Sequence, residues 1–219
     1  PLTSSAASDV YKRQILESTM IPFELYSITP DVNDYGHIFR IPNYYTPSEL
    51  DFLQSRIPTT PISPEVYPSC RVNLPRPNHT PSKFIGEKTQ WFFDNWDEVC
   101  ELTHIEGIDK WFYHDNPPTY TDESLRGSPP NSKLYPMHTD KGSKKLLTIL
   151  VPMSDMGNPT MFHGASRSRV WCHEWAVNDA YMFRPSDRSV HSYQNNMDVN
   201  RWIMNVNVCG TVGWMEKSN

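Results

Sequence analysis

The sequence predicts a mostly β chain: an antiparallel sandwich or jelly roll with a helical layer on one face. Three observations lead there. After Gly107 the chain breaks into short aromatic and apolar segments, most of them separated by turn residues. Before Gly107, two stretches carry helix signals. The length of 219 residues suits one domain with a full core.

Residues 1–14 stand outside that plan. "SSAASDVYKRQ", Ser4 to Gln14, has no apolar period and is identical to the in-frame translation of a transposon-type sequencing adaptor. It is set aside as an artefact, expected to be disordered, much as a tag would be. The native start is expected at Met20 or further upstream. Residues 15–219 are then expected to form a single domain.

From Ile21 to Ile41 the pattern is broken by Pro22 and Pro30, and "HIFRI" reads as one strand. "TPSELDFLQSRI" opens a helix: Thr46 as N-cap, Pro47 at the first helical position, Glu49 completing a capping box. Leu50, Leu53 and Ile57 give its apolar stripe. Residues 58–81 hold seven prolines and read as a long extended arm. A second helix is expected from near Ser82 to about Thr103. Its buried face would be Phe84, Trp91, Val99 and Leu102, flanked by Phe92, Trp96 and Cys100. These aromatics read as core packing rather than as a stacking platform. The helical layer therefore spans about 46–104, and the β core about 110–210.

The core segments are "WFYH", "KLYPMH", "KLLTILVPM", "TMFH", "RVWCHEWAV", "AYMFRP" and "RWIMNVNVCG". Between the first two, Asn116 to Ser132 carries four prolines and reads as a mobile loop or lid.

Composition narrows the function. The net charge of −5 and pI near 5.9 argue against bulk binding to nucleic acid or an anionic membrane. No apolar run approaches the ~20 residues of a membrane span. Cys70, Cys100, Cys172 and Cys209 form no C-x-x-C pair. They are expected to be reduced and mostly buried, in a cytoplasmic setting.

The chemistry concentrates in "YPMHTDKGSKKLLTILVPM". On a strand, His138 and Asp140 share a face, so both can aim at one ion while Thr139 points away. A third ligand is needed. His163 follows Asp140 too soon to cross a sandwich and return. His173 sits between Trp171 and Trp175 in a structural setting. His191 follows a turn, a strand and a polar loop, which leaves room to return. Two histidines and a carboxylate leave three open positions on an octahedral metal, the facial triad of non-haem iron(II) oxygenases. A 2-oxo dicarboxylate filling two of them needs a cation for its far end. Arg201 lies ten residues after His191, and a short turn would set the two on adjacent antiparallel strands. Its planar fork suits a carboxylate.

In this order of residues the sequence resembles the iron(II)/2-oxoglutarate-dependent oxygenases. The motif is H-x-D, then a distal histidine, then an arginine about ten residues on. The flanks "LYPMHTD", "LLTILVPMSD" and "VNDAYMFRPSDRSVHSY" resemble the prolyl-hydroxylase-like and phage-type branch. The resemblance covers about Lys110 to Gly210. It implies a cupin-like double-stranded β-helix, with iron(II) on His138, Asp140 and His191, and 2-oxoglutarate on Arg201. Tyr135, three before His138, is expected to line the cofactor pocket. Ascorbate is admitted as an accessory reductant. Dioxygen and an unidentified primary substrate complete the reaction. A peptide side chain or a small molecule is favoured over nucleic acid. Two rival classes stay open: a catalytically silent jelly-roll binding module, and a cupin-like metal enzyme that does not use oxygen.

Overall fold

The computed structural model of the chain describes residues 21–63, 65, 70–72, 85–104, 117–140 and 144–211. Residues 1–14, Phe84 and "WFYH" lie outside them. The N-terminal part holds β1 (Tyr26–Ser27), α1 (Val32–Tyr35), β2 (Ile38–Ile41), α2 (Pro47–Gln54) and β3 (Cys70–Val72). Two helices follow, α3 (Glu87–Asp94) and α4 (Trp96–Leu102). The core then runs β4 (Tyr120–Ser128), β5 (Tyr135–His138), β6 (Lys145–Pro152), β7 (Met161–Phe162) and β8 (Trp171–Cys172). It ends with β9 (Ala180–Phe183), β10 (His191–Tyr193) and β11 (Arg201–Cys209).

The strands form two antiparallel sheets. The major sheet runs β1-β2-β9-β6-β11-β4-β3 and the minor sheet β5-β10-β7-β8. From β4 onward the chain passes back and forth between them. That path, with β11 inserted between β4 and β6 and β10 between β5 and β7, is a double-stranded β-helix.

Alternation along the major sheet explains where the core sits. Leu147, Ile149 and Val151 of β6, and Trp202, Met204, Val206 and Val208 of β11, pack in one cluster with Phe92, Trp96 and Val99 of the helical layer. The intervening Leu150 and Ile203 pack with Tyr181, Phe183 and Phe162 in a second cluster. Each such side chain contributes roughly 1.5–3 kcal/mol by burial. The capping box of α2 forms as expected, with Thr46 Oγ1 accepting from Glu49 N and Glu49 Oε2 accepting from Thr46 N.

Four expectations change. The second helix is two helices, because Asn95 leaves the helical region and its side-chain amide donates to the Trp91 carbonyl. The break resets the buried face to Thr89, Phe92, Trp96, Val99 and Cys100, leaving Trp91 and Leu102 half-buried. The stretch expected to be a lid is mostly β4, which pairs over nine residues with β11 and is flanked by β3. Its charged sequence hid it: the inward side chains are polar because they face a cavity. The proline-rich arm likewise contributes β3. All four cysteines are free, but Cys172 is exposed and Cys70 half-buried.

A part-buried ion pair ties the N-terminal strands to the core. Arg40 Nε on β2 donates to both oxygens of Asp179, at 2.9 Å each, and His173 Nε2 lies 3.1 Å from Asp179 Oδ2. Burial opposes ionisation of Asp179, yet the His173 and Arg40 bonds hold its carboxyl below the usual value. Asp179→Asn is expected to cost about 1–2 kcal/mol, discounted because Arg40 is partly exposed. A depressed carboxyl stabilises above its unfolded pKa of ~3.9 and ceases to do so as the pH falls through its lower folded value. Denaturation midpoints of the two proteins should therefore differ at pH 7 and converge on acidification below about pH 4.

Candidate active site

The ladder between β5 and β10 sets His191 directly opposite His138. Their rings stand 4.3 Å apart between centroids. Asp140 lies two residues beyond the end of β5 rather than on it. It is fixed from the opposite sheet: Lys145 Nζ stands 2.8 Å from Oδ1, and Thr148 Oγ1 stands 3.3 Å from Oδ2. One ligand atom from each of His138, Asp140 and His191 falls within 4.8 Å of the others. The three candidate ligands thus come together, although the carboxylate arrives from beyond the strand end and not by strand alternation.

The imidazoles are oriented for a metal. His138 Nδ1 lies 3.0 Å from the Pro136 carbonyl, and His191 Nδ1 lies 2.9 Å from the Ser189 carbonyl. A carbonyl only accepts, so each Nδ1 carries the hydrogen and each Nε2 keeps its lone pair. Burial first, and then His138, push the His191 pKa down to about 4, so its ring is neutral at pH 7. Burial works against the Asp140 carboxylate, but Lys145 and the two histidines outweigh it and hold its pKa below the ordinary value. A neutral His191 beside an ionised Asp140 is the protonation state in which these two groups can bind a divalent metal.

Arg201 faces this cluster from the other sheet. His191 and Arg201 are not on adjacent strands as expected: β10 belongs to the minor sheet and β11 to the major one. The chain crosses between sheets in the connection from Tyr193 to Arg201, so the two residues meet across the cavity instead. Arg201 is 2% exposed. Its Nε donates to the Asn158 carbonyl at 2.7 Å and Nη2 to Thr160 Oγ1 at 3.3 Å. Its guanidinium lies 5.0 Å from the Trp175 ring and 5.1 Å from that of Tyr193. Gly157 makes room for Trp175: a Cβ there would sit 2.6 Å from the indole. Burial lowers the Arg201 pKa, but an arginine remains charged. Among the described residues no carboxylate pairs with it. A buried guanidinium without a counter-charge is costly unless a ligand supplies one.

Between the two groups lies a cavity of about 290 Å³. Tyr135 lines it, stacked on Tyr193 at 4.8 Å and edge-on to His138 at 4.7 Å. Asn205 also lines it, with its side-chain oxygen buried and without a hydrogen-bond partner. The sequence reading missed Asn205, though alternation from Arg201 through Ile203 assigns it to the same face. It also missed Tyr193 and Arg126, which line the cavity. His163 and His173 do not join the cluster: His163 bonds Ser192 Oγ at 2.7 Å and His173 bonds Asp179.

No protein-family model matches the sequence, and no curated protein matches it. Solved structures do resemble the fold. A prolyl-4-hydroxylase from Pseudomonas putida superposes with a TM-score of 0.51 at 10% identity, covering 82% of this chain and 95% of that one. A viral collagen prolyl hydroxylase from Paramecium bursaria Chlorella virus-1, in complex with 2OG, gives a TM-score of 0.50 at 14% identity, covering 80% and 96%. The chain shares the double-stranded β-helix fold of these solved structures.

Proposed function

We propose that this chain is an iron(II)- and 2-oxoglutarate-dependent dioxygenase that hydroxylates a C–H bond of a peptide side chain or small molecule. The observation that carries the reading is the pairing of two features across one cavity: a His138–Asp140–His191 cluster and a buried, uncompensated Arg201. A metal alone would not call for the arginine. The shared fold adds support, since one neighbour was solved with 2OG bound.

The residues fit the cofactors. His138 and His191 offer Nε2 and Asp140 a carboxylate oxygen, which leaves open positions on an octahedral ion. Arg201 offers its remaining donors to a distal carboxylate, and Tyr135, Thr160 and Asn205 line the space between. Iron(II) bound there would activate dioxygen, with one oxygen atom leaving in succinate as carbon dioxide is lost and the other entering the substrate C–H bond. The chain's own work is positioning. Lys145 and Thr148 hold Asp140, backbone carbonyls fix both imidazoles, and Phe162 and Phe183 pack against His191 to exclude water. The free thiols support a reducing, cytoplasmic setting, and no helix among the described residues is long and apolar enough to cross a membrane.

Anaerobic titration with iron(II) and then 2-oxoglutarate should develop the weak visible charge-transfer band of the chelate. Binding of iron without that band would leave a metal protein that does not use 2-oxoglutarate. Binding of neither would return the chain to the silent jelly-roll class.

A further inference from the structure

The cavity holds more positive charge than the cofactors require. Arg126 on β4 lines it, together with Lys145 and Arg201. Lys145 is committed to Asp140 at 2.8 Å. Arg201, on the reading above, meets the far end of 2-oxoglutarate. Arg126 has neither partner: its Nε donates to Ser124 Oγ at 3.0 Å, and among the described residues no carboxylate pairs with it. Its cross-strand neighbour increases the imbalance. Arg71 on β3 sits directly opposite Arg126 in the ladder, so the two side chains share a face. Like charges directly opposite each other destabilise a sheet. Asp122, four residues before Arg126 on the same face, compensates one of them, bonding Arg71 Nη2 at 2.6 Å. The pair therefore runs from the half-buried Arg126 in the cavity wall to the exposed Arg71 on the edge strand, with one cation left over.

We infer that the primary substrate carries a carboxylate, which Arg126 binds with Arg71 beside it. This rests on the oxygenase reading. Within it, Arg126 is a specificity-determining residue: its fork selects an acidic substrate and sets the substrate's approach along the β4 side of the cavity. The net acidity of the whole chain does not oppose this, because the local balance at the cavity is basic. A negatively charged substrate would meet Arg126 as the cation among the described lining residues that neither Asp140 nor the co-substrate engages.

The test uses the full chain loaded with iron(II) and 2-oxoglutarate, and reads 2-oxoglutarate-dependent oxygen uptake. The two solved structures named above are prolyl hydroxylases, so the probes are proline compounds matched in all but charge. One set comprises blocked tripeptides Asp-Pro-Gly, Asn-Pro-Gly and Lys-Pro-Gly. The other is N-acetylproline with its amide. Acidic members should stimulate uptake, with half-saturation roughly 10-fold below that of their neutral partners. The responding set tells whether the carboxylate belongs to a peptide or to a small acid. Arg126→Gln should erase the difference within a pair, and Arg126→Glu should shift the preference to the lysine peptide. Arg71→Gln, an exposed edge change that leaves the cavity wall intact, should narrow the difference. Equal stimulation by acid and amide would overturn the inference. So would silence of every acidic probe, or a preference unchanged in both Arg126→Gln and Arg71→Gln. The chelate band is recorded first. Its absence overturns the oxygenase reading and this inference together, whereas its presence with charge-blind uptake overturns this inference alone.

Discussion

His138→Ala is expected to lose both metal binding and turnover. On the proposed reading three side chains supply the whole protein ligand set, and an outer partner of a ligand alone is worth 10–100-fold in metal affinity. Losing a ligand itself should cost at least about 100-fold on the same scale. His138 is the better choice for the test than His191. His191 is buried against Phe162 and Phe183, so its removal also leaves a cavity, whereas His138 is only half-buried. The metal-free His138→Ala protein should melt within about 1 kcal/mol of the parent, since surface changes away from the core are usually small. Thr148→Val supplies the graded control. It removes the hydroxyl beside Asp140 Oδ2 but leaves all three ligands, and should weaken iron by no more than the 10–100-fold of an outer partner. Isothermal titration with iron(II) or manganese(II) separates the three proteins. Unchanged affinity in His138→Ala would remove the cluster as the metal site.

Much of this site was legible in the sequence, and the parts that were not have physical reasons. The convergence of His138, Asp140 and His191 was legible because metal chemistry would constrain such residue types and their order directly. Their route together does not. His138 and Asp140 looked like strand neighbours, but the ladder ends at His138 and the carboxylate is fixed by Lys145 and Thr148 across the cavity. Spacing along the chain also misplaced Arg201, since ten residues are enough either to turn back in one sheet or to cross to the other. The lid reading of 116–132 failed for a related reason. Strand β4 lines a polar cavity with Arg126 and Ser128, and Asp122 and Ser124 continue that face, so polar residues replace the apolar ones that usually announce a buried strand. The Pro129–Pro130 pair that suggested a loop falls just past its end. Helix signals were more dependable where a cap named the start, as at Thr46, than where an aromatic run had to be phased across Asn95. A polar residue that bonds its own backbone ends a helix without any glycine or proline to mark the place.

Arg201→Ala separates the oxygenase from its rivals, because it should spare iron and strike 2-oxoglutarate. The three candidate ligands lie on the other side of the cavity and keep their own supports. The guanidinium is almost fully buried, stacked between Trp175 and Tyr193, and tethered to the Asn158 carbonyl. Its orientation is therefore set before any ligand arrives, and little side-chain entropy remains to be lost on binding. Removing one partner of such a charge-assisted pair is worth ~2–5 kcal/mol, or about 30-fold to several-thousand-fold in affinity. Arg201→Lys should fall between, since lysine keeps the charge but loses the fork and its flat stacking on the two rings. The alanine change also leaves the Asn158 carbonyl without its donor and a gap between two aromatic rings, so some loss of stability accompanies it. Iron affinity serves as the control for that loss: a protein that still binds iron normally has kept β5 and β10 in register. The apparent 2-oxoglutarate constant in uncoupled decarboxylation, assayed with ascorbate present, needs no knowledge of the primary substrate. If Arg201→Ala leaves that constant unchanged while His138→Ala abolishes turnover, another cation anchors the co-substrate. Lys145 is then the first to test, because it already lies in the cavity and would need only to release Asp140 to the metal. If neither change matters, no reaction of this kind occurs at the site, and the arginine's burial belongs to a jelly roll that binds an acid without transforming it.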